Sequence, residues 1–292
     1  MDYNKDVLRK LQLVQLDILK DIDSFCKENQ ISYFISYGTA LGAIRHGGFI
    51  PWDDDIDICM KRDDYNRFVE LAKEGMKDKY DILNIMETPG YISAFIKVSK
   101  KGTRFVEASN SNEEYEQGIF VDVFPYDYVA ENEKQRKKDL RWAWILGRLC
   151  MLCEISDPII PYEVQGWKRS VAIFGCKMAH VLLNLIGLDK KKVYRKYEKH
   201  VTKYNHKQGC TSLGDYSEVA PESTILREDQ LFPPVDVQFE NIPFPGPKDI
   251  HAYLTKKYGD YMQLPPVEAR HNHVASLLDF GDGCVVNSKG KE

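Results

Sequence analysis

The chain has 292 residues, 43% hydrophobic and 29% charged, with a formal net charge of −4. That is enough for one large or two small domains with a sizeable core. The near-neutral balance, without a basic stripe, argues against nucleic acid as a main partner. Seven cysteines scattered through apolar segments do not form a secreted disulfide framework, and no run of about twenty apolar residues is present to span a bilayer. With a polar N-terminal start and no signal-peptide pattern, a cytoplasmic setting is expected.

From Asp6 to Asn29 the apolar positions Val7, Leu11, Val14, Ile18, Ile22 and Phe25 recur every three or four residues, the pattern of an amphipathic helix lying across a sheet. Ile31 to Ser36 reads as a short buried strand. It feeds Gly38-Thr39, which opens a helix through Ala40, Leu41, Ala43 and Ile44. A glycine and a hydroxyl at a helix N-terminus leave backbone N–H groups free beside a positive dipole end, which suits phosphate. Gly47-Gly48 ends this helix, and Pro51 holds the chain extended into Asp53-Asp54-Asp55-Ile56-Asp57-Ile58. In an extended strand Asp53, Asp55 and Asp57 share one face, opposite Ile56 and Ile58. Carboxylates crowded in this way repel each other unless a divalent cation neutralises them. Magnesium, or alternatively manganese, is the expected cofactor because hard cations take oxygen ligands. Taken by itself, an acidic triplet is more often a solvated loop or a helix cap.

Asp63 or Asp64 is expected to cap a second helix. Three strand-like runs follow, Tyr80 to Met86, Ser93 to Ser99 and Thr103 to Ala108. Lys97, in the second, is either a snorkelling or edge lysine or a cation that offsets donor charge. In the run Gly118 to Pro125, Phe120, Asp122 and Phe124 point one way and Ile119, Val121 and Val123 the other. A buried carboxylate between two phenylalanines is either a structural ion-pair partner or a third metal ligand beside Asp55 and Asp57. On the second reading its neutralisation leaves folding intact and slightly raises stability.

Beyond Glu131 the pattern turns helical: Leu140 to Cys153, Trp167 to Leu188, and Lys191 to His206. Buried bundle core is the default for the apolar helix around Val181 to Ile186, and Cys150 with Cys153 reads as core. The alternative for the apolar helix, flanked by Lys168, Arg169, Lys177 and Lys190 to Lys192, is an interfacial surface for lipid-linked substrates. Gln208 to Gly214 reads as a polar turn, Phe232 to Phe244 as a strand pair, and Pro247 to Lys257 as a last short helix. The tail after Asp279 reads as loose. Arg270 and His271 are expected to contact donor or acceptor, since two histidines in a loop are weak evidence of a metal site.

The stretch Gly38-Thr-x-x-Gly42-x-x-Arg45-His46-Gly-Gly-Phe-Ile-Pro-Trp-Asp53-Asp-Asp55-Ile-Asp57-Ile resembles the signature of the LicD family of phosphocholine transferases, related to the fukutin family. It also resembles a variant of the Gly-[Gly/Ser/Thr] … Asp-x-Asp motif of the nucleotidyltransferase superfamily. Gly118 to Asp127 resembles a second family block, and Tyr258 to Met262 with Arg270 to His273 a weaker third. The resemblance implies an α/β (α+β) fold: a small mixed nucleotidyltransferase-like sheet over residues 1–130, with a mostly helical portion over 131–292 that completes the site. It implies Asp55, Asp57 and Asp122 as catalytic residues and, with Asp53, as metal ligands. Gly38, Thr39, Gly42, Arg45, His46, Lys97, Arg270 and His271 would bind the donor. Arg45 and His46 would otherwise be ordinary cations at a helix C-terminus. The implied reaction transfers phosphocholine, or another phospho-alcohol, from a CDP-alcohol to a sugar hydroxyl of a surface glycan or lipid-linked glycan. Peripheral membrane contact is expected instead from the basic and apolar helices between Trp142 and Lys192. Rival readings are an Asp-x-Asp glycosyltransferase using a nucleotide sugar and a non-catalytic nucleotide- or glycan-binding member of the same fold.

Overall fold

The structure, a computed structural model, describes residues 4–107, 115–156, 166–270, 272 and 275–287. The first periodic stretch forms α1 (Lys5–Glu28), capped by Asn4, whose side chain accepts from the Asp6 N–H at 3.1 Å. Its buried face carries Leu8, Leu11, Leu16, Leu19 and Ile22, and among them two glutamines, Gln12 and Gln15. The buried strand β1 (Tyr33–Ile35) leads into α2 (Tyr37–His46), which stops where Gly47 adopts the left-handed conformation at φ 73°. There follow β2 (Asp57–Lys61), α3 (Arg62–Gly75), β3 (Tyr80–Leu83), β4 (Ile96–Lys100), β5 (Arg104–Glu107) and β6 (Phe120–Tyr128). Asp63 and Asp64 do not cap α3. Lys61 holds the cap position, and the two acids lie in the first turn, facing the positive end of the helix dipole.

The main sheet has the order β1-β2-β6-β4-β3, with β2 and β6 parallel and the other neighbours antiparallel. This is the mixed sheet expected from the sequence. The central pair β2 and β6 is buried almost throughout, as strands covered on both faces are.

The second half contributes α4 (Glu133–Glu154), α5 (Trp167–Leu185), α6 (Lys190–Val201), β7 (Ser212–Gly214), β8 (Leu226–Arg227) and α7 (Glu228–Leu231). It continues with β9 (Val235–Phe239), β10 (Ile242–Gly246), α8 (Ile250–Tyr258), β11 (Ala275–Asp279) and β12 (Val285–Asn287). The expected strand pair is the β9–β10 hairpin. Two readings change. The end of the presumed polar turn is β7, which pairs with the end of β6, and part of the tail is β12, paired with β11. Both are three-residue strands, too short to show alternation.

Leu213, Leu231, Phe239, Phe244, Tyr253 and Leu254 share one core with Phe34, Ile58 and Val121. Leu140, Ala143, Cys150, Val193, Tyr197 and Tyr216 form a second cluster between α4 and α6. Helix α5 departs from the buried-bundle expectation, since none of its residues is buried. No single described helix is long and apolar enough to cross a membrane.

Candidate active site: a carboxylate–lysine row on three strands

Strand β2 begins only at Asp57, so Asp53 to Ile56 form an irregular lead-in rather than ladder. The run still keeps the expected alternation: Asp54 is buried with Ile56 and Ile58, while Asp53 and Asp55 are half-buried and act on Asp57. Helix α1 fixes this lead-in. The Gln12 Nε2 donates to the Asp53 carbonyl at 2.9 Å and Gln15 Nε2 to the Asp54 carbonyl at 2.7 Å. Backbone groups that a strand partner would satisfy are thus satisfied by side chains.

Parallel pairing places Asp57 beside Asp122, and antiparallel pairing places Lys97 opposite Asp122. Three charged residues therefore stand in one row across β2, β6 and β4. All are buried: Asp57 is 8% exposed, Asp122 7% and Lys97 5%. Lys97 is no edge residue, because β4 lies between β6 and β3. Its ammonium donates to Asp122 Oδ1 at 3.0 Å and Oδ2 at 3.2 Å, and lies 3.4 Å from the Phe120 ring centroid. Burial, then the charges of Asp55, Asp122 and Asp53, raise Asp57 well above the usual carboxylate range, and Lys97 opposes the shift. Lys97 argues against the expectation that neutralising Asp122 raises stability, since a buried ammonium would lose one of its charge partners.

The donor set is all carboxylate oxygen, and the mutual repulsion at Asp57 is what a hard divalent cation relieves. Among the described residues no three His, Cys, Asp or Glu side chains gather into a group that could hold a metal ion.

Gly38 sits in the first turn of α2, and a methyl group there would lie 2.8 Å from Asp53 Oδ2. Thr39 is buried, and its hydroxyl accepts the Asp57 N–H at 2.9 Å, joining the helix start to the first residue of β2. Gly42 packs inward against Gly48 and Ile50. Tyr37 opens the helix at φ 43°, a region costly for a bulky residue. It is held at both ends: its N–H donates to the Tyr253 hydroxyl at 3.0 Å and its own hydroxyl to Asp215 Oδ2 at 2.8 Å. Burial lifts Asp215 to about 6, against the lowering effect of bonds from Ser217 and Tyr37.

Arg45 Nη1 donates to the Tyr261 carbonyl at 3.0 Å, and its charge is close enough to Arg270 to feel repulsion. The Arg270 guanidinium stacks 4.8 Å from the Trp52 ring, and the His46 ring meets the same Trp52 edge-on. Residues from opposite ends of the chain thus make one cationic rim beside the acidic lead-in. Burial, then Arg45, hold His46 below its ordinary value. Tyr258, from the end of α8, joins the same edge. Its phenol is pushed up first by burial and then by Asp57 and Asp53. His271 lies outside the described residues.

The family model described as LicD/FKTN/FKRP, nucleotidyltransferase domain, matches residues 30–148, from just before β1 into α4. A Haemophilus influenzae protein named lipopolysaccharide cholinephosphotransferase LicD is 30% identical over 282 residues, covering 92% of this chain and 96% of the relative. The chain belongs to the LicD family. A Rickettsia prowazekii protein, named as uncharacterized, is 46% identical over 189 residues, which are 63% of this chain and 65% of the relative. One from Rickettsia typhi, also named as uncharacterized, is 28% identical over 192 residues, 63% of this chain and 55% of the relative.

In this LicD-family chain four contributors to the site escape sequence reasoning: Gln12, Gln15, Tyr37 and Asp215. The glutamines carried a signal, being polar residues one turn apart on the apolar face of α1. Asp215 carried none, because its partner lies 178 residues away.

Proposed function

We propose that this chain transfers phosphocholine, or a closely similar phospho-alcohol, from a CDP-alcohol to a sugar hydroxyl of a cell-surface glycan such as teichoic acid, capsule or lipopolysaccharide. The observation that carries the reading is the row Asp57, Asp122, Lys97 on adjacent strands, next to an acidic lead-in whose Asp53 acts on Arg45. The acceptor oxygen bonds to the phosphorus bearing the alcohol, the bridging P–O bond to CMP breaks, and the hydroxyl proton is lost to the medium. Asp53, Asp55, Asp57 and Asp122 would hold a magnesium or manganese ion, which when bound neutralises phosphoryl charge and lowers the pKa of an attacking hydroxyl.

The chain's own groups supply the rest. The N-terminus of α2 at Gly38 and Thr39 offers N–H groups and a positive dipole end to the donor diphosphate. Arg45 and Arg270 add cationic donors, the guanidinium fork being suited to phosphate oxygens. Lys97 pairs with the Asp122 carboxyl and holds it in place within the sheet. Phe95 packs tilted on Phe124 and Tyr37 meets Phe124 edge-on, with ring centroids 4.3 Å and 5.2 Å apart, so that aromatic rings line this row and limit water there. The seven unpaired cysteines suit a reducing cytoplasmic compartment.

The test is a donor panel with magnesium and a sugar acceptor, with the released nucleotide identified by mass spectrometry. CMP is expected from CDP-choline or another CDP-alcohol, and its formation should stop on chelation. Release of a nucleoside diphosphate from a nucleotide sugar, with no CMP from any CDP-alcohol, would overturn the reading in favour of a glycosyltransferase.

A further inference from the structure

Helix α5 is apolar on two opposite sides, and only one of them is covered. Ala172, Ile173, Cys176, Ala179 and Leu183 are half-buried along one face, and α5 packs on α4. His180 Nδ1 donates to the Leu152 carbonyl of α4 at 2.8 Å and fixes that face. Trp167, Val171, Phe174, Met178, Val181 and Leu185 recur at spacings of four and three. At 100° per residue they fall within an arc of roughly 80°, opposite the covered face. All six are exposed, Trp167 by 72%, Phe174 by 67% and Leu185 by 76%. A contiguous apolar ridge of this length marks an interaction surface.

The charges around the ridge identify its occupant. Lys168 and Lys177 are exposed and flank it on either side of the wheel, at roughly 100° and 80° from its centre line. Residues 166–188 contain no Asp or Glu. Helix α6 buries Val193, Tyr194, Tyr197 and Val201 in the protein and turns Lys191, Lys192, Arg195, Lys196 and Lys199 outward. A second copy of this chain docking ridge to ridge would bring like charges together. An anionic surface complements both the ridge and its cations.

We propose that α5 lies flat in the headgroup region of an anionic lipid bilayer, its ridge inserted and the lysines of α5 and α6 against the lipid charges. The helix lies on the membrane rather than across it. Together α5 and the α6 segment meet the length and composition for a broken span, bent by 100°, but the apolar face of α6 is already spent in the protein core. The surface argument is independent of the reaction proposed above, though a bilayer is where a lipid-linked glycan would be met.

Sedimentation of the full chain with vesicles tests this without any assay of turnover. The chain should bind phosphatidylcholine vesicles containing phosphatidylserine, bind pure phosphatidylcholine weakly, and come off as salt screens the charges. Each exposed lysine replaced by Gln should lower partitioning roughly fivefold. Phe174→Ser with Leu185→Ser should abolish binding while leaving CMP release with a soluble acceptor unchanged. Bromine-labelled lipid should quench part of the tryptophan fluorescence, and Trp167→Phe should remove that part. No binding to anionic vesicles at low salt overturns the proposal. So does a stable dimer in light scattering that the Phe174/Leu185 variant dissociates, since the ridge would then be an interface between copies.

Discussion

The ammonium of Lys97 lies 3.0 Å from Asp122 Oδ1, directly across the antiparallel β4–β6 pair, and both side chains are buried. On the proposed reaction the charge of Asp122 matters twice, once for turnover and once for the fold. In Asp122→Asn the buried ammonium loses this counter-charge, and breaking a buried pair costs up to about 3–5 kcal/mol, less whatever neighbouring Asp57 offsets. Lys97→Met with Asp122→Asn should recover much of that loss, because the stranded charge is gone. Both variants should turn over at least about a hundredfold more slowly. Denaturant titrations of the two single variants and the double variant would show it. Additive losses would mean that the pair is energetically uncoupled.

Asp57 responds in the opposite sense. Its native carboxyl is raised well above the ordinary range by burial and by Asp55, Asp122 and Asp53, so the native chain keeps a proton that the unfolded chain releases. The resulting penalty is absent below the ordinary carboxylate range, grows as pH rises above it, and is complete above the raised native value. Asp57→Asn removes it and should raise Tm at neutral pH, by about 2–4 °C for each kcal/mol recovered. Turnover should fall by the same large factor as for Asp122. Magnesium should raise the Tm of the native protein more than that of Asp57→Asn, because a bound cation stabilises the folded chain. An equal magnesium effect in both would separate Asp57 from the metal.

Two glycines of α2 separate folding from function. At Gly42 a methyl group would meet the Gly48 carbonyl oxygen and the Ile50 backbone, neither of which can swing away. Gly42→Ala should therefore destabilise strongly. At Gly38 the same methyl meets only the end of the Asp53 side chain, which can turn. Gly38→Ala should fold with nearly unchanged Tm yet raise KM for the donor, by displacing Asp53 and covering the helix N-terminus. Thermal melts beside donor saturation curves distinguish the two, and an unchanged KM in Gly38→Ala would remove Gly38 from the donor site.

How much of this the sequence reveals depends on how local the cause is. The 3.6-residue period of α1, the glycine stop after α2 and the apolar run of β6 are local, and all three are legible. The pairing of β2 with β6 is not written in either strand, but two buried acids in separate apolar runs pointed to it. Lys97 remained ambiguous because whether a strand is central or at an edge depends on its neighbours. Helix α5 misled for a related reason: a helix apolar on two sides reads as core, and only the packing shows that one side is left uncovered. Asp53 to Ile56 follow the alternation read from the sequence, but nothing local in the run showed that α1, not a strand, holds their backbone.

The remaining prediction concerns Asp215, which reaches the site through Tyr37. Tyr37 adopts φ 43° at the start of α2, and a conformation of that kind costs on the order of 1–3 kcal/mol unless its surroundings hold it. The Tyr253 hydroxyl and the Asp215 carboxylate hold it at either end. Burial raises Asp215 from its ordinary value to about 6, so protons stay on the native carboxyl where the unfolded chain has lost them. Stability should therefore fall as pH rises from about 4 to about 6, by about 3 kcal/mol from this group, and level off above. Asp215→Asn should flatten that part of the pH–stability profile whatever its effect on absolute stability. Tyr37→Phe should raise KM for the donor, as Gly38→Ala does, because it loosens the turn that presents Gly38 to the donor. Unfolding measured at pH 4.5 and pH 7 for both proteins decides the first point. Asp57 adds a fall of its own, so the difference between the two proteins decides: if the fall from pH 4.5 to pH 7 is no smaller in Asp215→Asn than in the native chain, Asp215 does not contribute to it.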